Sequence, residues 1–208
     1  MKIHCKLGHK EEMIKAYEKQ LTYISHVSRN KSEKCINSLL ETVAGSITNT
    51  EDSGVLSEFF DKTLTAFKET KNERLWFKTC LRQGKLLFDN GLLVKLESLL
   101  NKPGGLKRSC MLPGTTDQPD PKKASQQMET YALEIQMLTA KKDSTKCREV
   151  YMSSLANTAS ITHPSIMGTI KECGGKMYVL QTITIYANVL SLSLSHSNSL
   201  SLPLSNSL

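Results

Sequence analysis

Apolar residues recur every three or four positions along most of this chain, in stretches separated by short polar turns. That period belongs to helices and not to strands. Met13, Ala16, Tyr17, Leu21 and Ile24 make a first stripe, with Lys15, Glu18 and Lys19 on the other face. Cys35, Ile36, Leu39, Leu40 and Val43 make a second, for which Ser32 reads as the N-cap. Gly45 and the polar run from Thr48 to Gly54 interrupt the pattern before Leu56, Phe59, Phe60, Leu64 and Phe67 resume it. Asn72 reads as the cap of a fourth stripe holding Leu75, Trp76, Thr79, Leu86 and Leu87. Asp89-Asn90-Gly91 then turns the chain into Leu92, Leu93, Leu96, Leu99 and Leu100.

From Pro103 to Ser125 the period is lost among Gly104-Gly105, Pro113-Gly114, Pro119 and Pro121, which predicts a flexible insertion without packing. It returns with Met128, Tyr131, Ala132, Ile135, Met137 and Leu138, and after the turn Lys141-Lys142-Asp143-Ser144 with Val150, Tyr151, Leu155 and Ala159. His163-Pro164 opens a last helix with Ile166, Met167, Ile170 and Cys173, which Gly174-Gly175 should loosen or end. Helix, turn and helix repeated at roughly 34 to 47 residues predict an all-α fold, an α-solenoid of tetratricopeptide-like helical hairpins. The strict tetratricopeptide consensus is absent. The expected organisation is a first part of the arm at 1–102, the insertion at 103–125, a second part at 126–178, and a tail at 179–208.

That tail marks a seam. Charge disappears after Lys176, and from Leu190 the chain alternates Leu and Ser. Such alternation is what a repeated CT dinucleotide encodes, so the tail reads as low-complexity sequence foreign to the fold. It is expected to be disordered or prone to aggregate.

The 208 residues carry 27 Lys+Arg against 20 Asp+Glu, a net charge of +7. Acidic residues are interspersed through the helices, so most of this charge reads as solvated surface. One excess, Arg29, Lys31 and Lys34, falls at a turn and a helix start, where backbone N–H groups add to the positive potential. It is the candidate partner-binding site, suited to an acidic protein face or a polyphosphate. The basic residues form no single stripe with interleaved aromatics, so no nucleic-acid partner is expected.

Six cysteines lie far apart and never as Cys-x-x-Cys, which argues for free thiols in a reducing compartment and against zinc. There is no His-Glu-x-x-His and no Walker loop. No enzyme, metal or cofactor is expected, nor any membrane-spanning segment.

Particular strings then carry a resemblance: Lys19-Gln20-Leu21-Thr22-Tyr23-Ile24, the run Arg29 to Ser38, Asn72 to Thr79, Tyr131 to Met137, and His163 to Gly168 with Glu172-Cys173-Gly174-Gly175-Lys176-Met177. In this order they resemble the subunit 2 family of the COP-9 signalosome, with a proteasome-lid paralogue as the nearest neighbour in layout. The resemblance implies a non-catalytic scaffold, the N-terminal helical-repeat arm of a subunit that also carries a PCI domain. It implies as partners the other signalosome subunits and cullin–RING ubiquitin ligases, whose cullins the complex deneddylates. It also implies inositol polyphosphate at a basic region that includes Arg29, Lys31 and Lys34, and a location in nucleus and cytoplasm. It stops at about Met177, which leads to the expectation of a truncated arm without the PCI domain.

Overall fold

The computed structural model describes residues 10–23, 27–46, 53–115, 118–157 and 161–199. Its fold is all-α, of the helical-repeat kind, and the described residues hold one isolated bridge, Met111 to Pro119, and no strand. Contacts divide the chain into two compact units, Met1–Asn90 and Gly91–Leu208.

The first unit holds α1 (Lys10–Thr22), α2 (Arg29–Ser46), α3 (Ser53–Glu69) and α4 (Glu73–Asp89). The stripes supply its core: Met13 and Tyr17 from α1, Ile36 and Leu40 from α2, Phe59, Phe60 and Phe67 from α3, and Leu75 and Trp76 from α4 are all buried, and Phe77, outside the predicted stripe, is buried with them. Each fully buried side chain of this size contributes about 1.5–3 kcal/mol from removal of apolar surface. The Tyr17 and Phe59 rings meet at 4.9 Å and 51°, a tilted pairing that aromatic quadrupoles favour. The Thr63 hydroxyl donates to the Phe59 carbonyl at 2.6 Å. Its single proton is thereby used, so Tyr17 donates to Thr63 Oγ1, at 2.5 Å.

Asn72 caps α4 as its position in the sequence predicts, with Oδ1 accepting from the Leu75 N–H at 3.4 Å. Just before it, Lys71 takes a left-handed conformation with φ +52°, and the Asn72 N–H reaches back to the Phe67 carbonyl at 2.9 Å. This closes α3 as a Schellman turn. Ser32 departs from expectation. Helix α2 starts at Arg29, and buried Ser32 sits a turn inside it, donating from both N–H and Oγ to the Ser28 carbonyl. Ser28 thus supplies the helix-opening carbonyl that the sequence reading assigned to Ser32. Most of the polar run after α2 lies outside the described residues, as do Ile24 and the side chain of Val43.

The second unit holds α5 (Leu93–Asn101), α6 (Leu106–Ser109), a 3-10 turn (Pro121–Lys123), α7 (Ala124–Lys141), α8 (Ser144–Ala156) and α9 (Pro164–Ser199). Helix α7 is the central one and buries nearly every side of itself, with Met128, Leu133, Ile135, Met137 and Leu138 all inside. The α7–α8 turn repeats the chemistry of the α3–α4 turn. Lys142 is left-handed at φ +59°, the Asp143 N–H reaches the Leu138 carbonyl at 3.1 Å, and Asp143 Oδ1 accepts from the Lys146 N–H at 3.2 Å. On α8 the inward positions are Cys147 and Ser154, while Leu155, expected inside, is exposed; Ala159 lies outside the described residues.

The segment 103–125 is not without packing. Leu106, Cys110 and Ala124 are buried, the Leu112 and Asp120 N–H groups bond to the Gln118 and Cys110 carbonyls at 3.0 Å each, and Arg108 donates to the Thr115 carbonyl. Its buried Gly105 belongs there: a Cβ would lie 2.5 Å from the Leu99 carbonyl oxygen and 2.9 Å from that of Lys102. Three apolar anchors among prolines and glycines are too few to show a period, yet enough to pin the loop.

Nor do Gly174 and Gly175 end the last helix. Gly174 is held where a Cβ would meet the Tyr151 ring at 2.4 Å, and α9 continues through 179–199, the stretch expected to be disordered. Its side chains from Val179 to Leu192 are exposed except half-buried Gln181, which donates to the Ser144 carbonyl at 3.4 Å. Residues 200–208 lie outside the described residues.

Candidate partner-binding surface

The basic cluster falls on the first two turns of α2. Its first turn carries no acidic residue, so the positive end of the helix dipole is not neutralised locally. Lys31 and Lys34, three positions apart, are both exposed and make no ion pair among the described residues. Arg29 opens the helix, and its side chain lies outside the described residues. Glu33, the one carboxylate within the run, is turned to α4, where Lys78 Nζ binds it at 2.5 Å.

Beside these lysines α1 and α2 enclose an open groove of about 300 Å³. Its walls are apolar: Tyr17, Leu21, Val27, Cys35, Ile36 and Leu39. Gln20 and Ser32 line it as well; the Tyr17 hydroxyl is on Thr63 and the Ser32 hydroxyl on the Ser28 carbonyl. Burial pushes the Tyr17 phenol up to about 12, so it is uncharged over the physiological range. Lys31 is the one charged side chain lining the groove among the described residues. Of its lining residues, Tyr23 and Val27 are 65% and 44% exposed. The sequence reading found the lysines and missed the groove, because its walls come from two stripes whose outer edges look like ordinary helix surface.

A second pattern concerns how successive helix layers meet. Lys62 of α3 pairs with Glu18 of α1; Lys78 and Arg82 of α4 pair with Glu33 and Glu41 of α2, the latter at 3.0 Å; Lys141 of α7 pairs with Glu97 of α5. The partners are 44, 45, 41 and 44 residues apart, one helical-hairpin repeat. In all four the carboxylate comes from the earlier helix and the cation from the later one.

In the second unit Lys107 donates to Glu134 Oε1 at 2.8 Å, while Glu134 Oε2 is buried without a protein partner. Gln127 donates to the Tyr131 hydroxyl at 2.8 Å and accepts from Asn157 at 3.0 Å. These contacts join the 106–109 helix and the end of α8 to α7. Cys35, Cys80, Cys110, Cys147 and Cys173 are free thiols, and burial raises Cys110 and Cys147 above the ordinary thiol range, which keeps them protonated and unreactive. Among the described residues no three His, Cys, Asp or Glu side chains converge as a metal ion would require, and no helix is long and apolar enough to cross a membrane.

No family model matches the chain. Individual curated proteins do. COP9 signalosome complex subunit 2 of Drosophila melanogaster is 43% identical over 180 residues, which is 86% of this chain and 38% of that protein. The Dictyostelium discoideum protein of the same name is 41% identical over 181 residues, 86% of this chain and 39% of its own length. That of Emericella nidulans is 36% identical over 180 residues, again 86% of this chain and 35% of its own. The chain therefore spans a little over a third of the relatives it matches.

Proposed function

Since this chain is a homologue of part of COP9 signalosome complex subunit 2, we propose that it acts as a non-catalytic scaffold arm, joining other signalosome subunits and holding cullin–RING ubiquitin ligases for cullin deneddylation. The observation that carries this reading is the long match to three relatives of one name, on a fold made of helical hairpins. Helical-repeat proteins work as binding surfaces, and the exposed Lys31 and Lys34 beside an unneutralised helix start supply one suited to an acidic partner.

In this reading Arg29, Lys31 and Lys34 contribute cationic contacts to the cullin–RING ligase, and an inositol polyphosphate strengthens them by bridging cations of both proteins. The places of action are nucleus and cytoplasm. The test is recovery of signalosome subunits and a cullin–RING ligase on the tagged full chain, with and without charge reversal at the three basic positions. The wild type should recover both, and the triple variant should lose most of the ligase while keeping its helical circular dichroism. Equal recovery of ligase by the two would remove the basic site. Recovery of neither partner by the wild type would remove the scaffold reading.

A further inference from the structure

We infer that Asn90 is a site of self-modification: the Gly91 backbone nitrogen attacks its side-chain amide, ammonia leaves, and aspartate and isoaspartate remain in the turn between α4 and α5.

Asn90-Gly91 is the one Asn-Gly pair in the sequence. Its glycine takes φ +70°, which residues with a Cβ rarely adopt, and it offers a backbone nitrogen that no side chain shields. Both residues are exposed, and a Cβ on Gly91 would meet nothing within 4 Å, so no neighbouring atoms close over the turn. The Asn90 N–H is tied to the Leu86 carbonyl at 3.0 Å, and the Gly91 carbonyl accepts from the Leu93 N–H at 2.9 Å. The two groups that must react are those left over. The Asn90 side chain and the Gly91 N–H make no hydrogen bond among the described residues. Asn90 has ψ 2°, so the peptide unit has to turn before the nitrogen reaches Cγ, and neither reacting group gives up a hydrogen bond in doing so. Other asparagines are held. Asn72 accepts from the Leu75 N–H at 3.4 Å and Asn157 donates to Gln127 at 3.0 Å. Asn37 and Asn188 lie inside helices, where the next N–H is taken by the helix ladder.

Hydroxide removes the Gly91 amide proton, the nitrogen bonds to Asn90 Cγ, and the bond from Cγ to the side-chain nitrogen breaks, releasing ammonia with a proton from water. The cyclic imide then takes up one water. Opening at Cγ gives aspartate; opening at the main-chain carbonyl gives isoaspartate, with the backbone rerouted through the side-chain carbon. One water is consumed and one ammonia released, with no oxidant or reductant. Either product sets a new carboxylate next to Asp89 at the negative end of α4, whose last turn has no basic residue. Isoaspartate also lengthens the link at the boundary of the two compact units.

The test incubates the folded full chain in mildly alkaline buffer at body temperature, then maps its tryptic peptides by mass spectrometry. The peptide Leu86–Lys95 should gain the mass of an amide-to-acid change as two products of different retention time, isoaspartate in excess. It should convert at least about tenfold faster than any other asparagine-containing peptide, because its nucleophile adjoins the amide unobstructed. An isoaspartyl carboxyl methyltransferase with labelled S-adenosylmethionine should mark the same peptide. Asn90→Gln, an exposed change that would need a larger and slower-closing ring, should remove most of the label from the whole chain. No conversion of the folded chain over a time in which the urea-unfolded chain converts would overturn the inference. So would aspartate without isoaspartate, equal conversion at another asparagine, or undiminished label on the Asn90→Gln variant.

Discussion

Lys142 and Lys71 hold left-handed conformations at φ +59° and +52°, where a Cβ crowds the backbone and glycine is the residue of least cost. Because the two turns are built alike, relieving either should have the same sign. Lys142→Gly is expected to raise stability by about 0.5–1 kcal/mol, the left-handed penalty less the added freedom of the unfolded chain; urea denaturation measures it, and a loss would mean that the Lys142 side chain is bound. Tyr17 gives a second residue-level outcome. Its phenol is raised to about 12 from an unfolded value of 10.0, chiefly by burial. An acid whose folded pKa is raised contributes stability that is complete below the unfolded value and lost as pH climbs through the folded one. Between those values the wild type should weaken with rising pH, and Tyr17→Phe should flatten that limb. At neutral pH the same change should cost about 0.5–1.5 kcal/mol for the Thr63 hydrogen bond. A wild type indifferent to pH across that window would show a phenol in contact with water.

At the scale of the element, stripes were readable and pairings were not. Phe59, Phe60, Phe67, Leu75 and Trp76 were legible as core because a helix writes its buried face into local spacing. Trp76 is 8% exposed with Lys68 Nζ 5.4 Å from its ring centre, and Trp76→Ala should destabilise the chain by about 3–5 kcal/mol through the cavity left; an unchanged thermal melt would contradict the packing. Ser32 was misassigned because a serine that opens a helix and one that bonds the carbonyl four residues back look alike in sequence. The pairs Glu33–Lys78 and Glu41–Arg82 were invisible, since nothing local links residues 45 and 41 apart. The candidate site was half legible for the same reason: Lys31 and Lys34 are neighbours in sequence, and the groove beside them needs two helices. Exchanging partners tests one such pair. Glu33→Lys or Lys78→Glu alone should cost up to about 1 kcal/mol, and the double exchange should restore most of it, less so in high salt. Additive losses in the double variant would deny the pair any coupling.

For the molecule as a whole, the uncharged stretch beyond Gln181 contributes helix without burial: Ile183, Ile185, Tyr186, Val189, Leu190 and Leu192 are all exposed. Ending the chain after Thr182 should therefore leave the melting temperature within about 2 °C, since a shift of that size corresponds to less than about 1 kcal/mol for a chain of this length. A fall of more than about 5 °C would show that the removed residues pack. Loss of six uncovered apolar side chains should also reduce light scattering on concentration.

The four glutamate-to-cation pairs have a consequence of their own. Because in these four pairs acid precedes base by one repeat, charge gives those helix contacts a direction without giving any layer an identity. Two hairpins from different molecules, met in the right sense, satisfy each other as well as two from the same molecule. What tells them apart is left to shape, such as the tilt of Tyr17 on Phe59. Exchange of hairpins between copies would therefore keep the same kind of ion pair, opposed by the mutual repulsion of chains that each carry a net charge of +7.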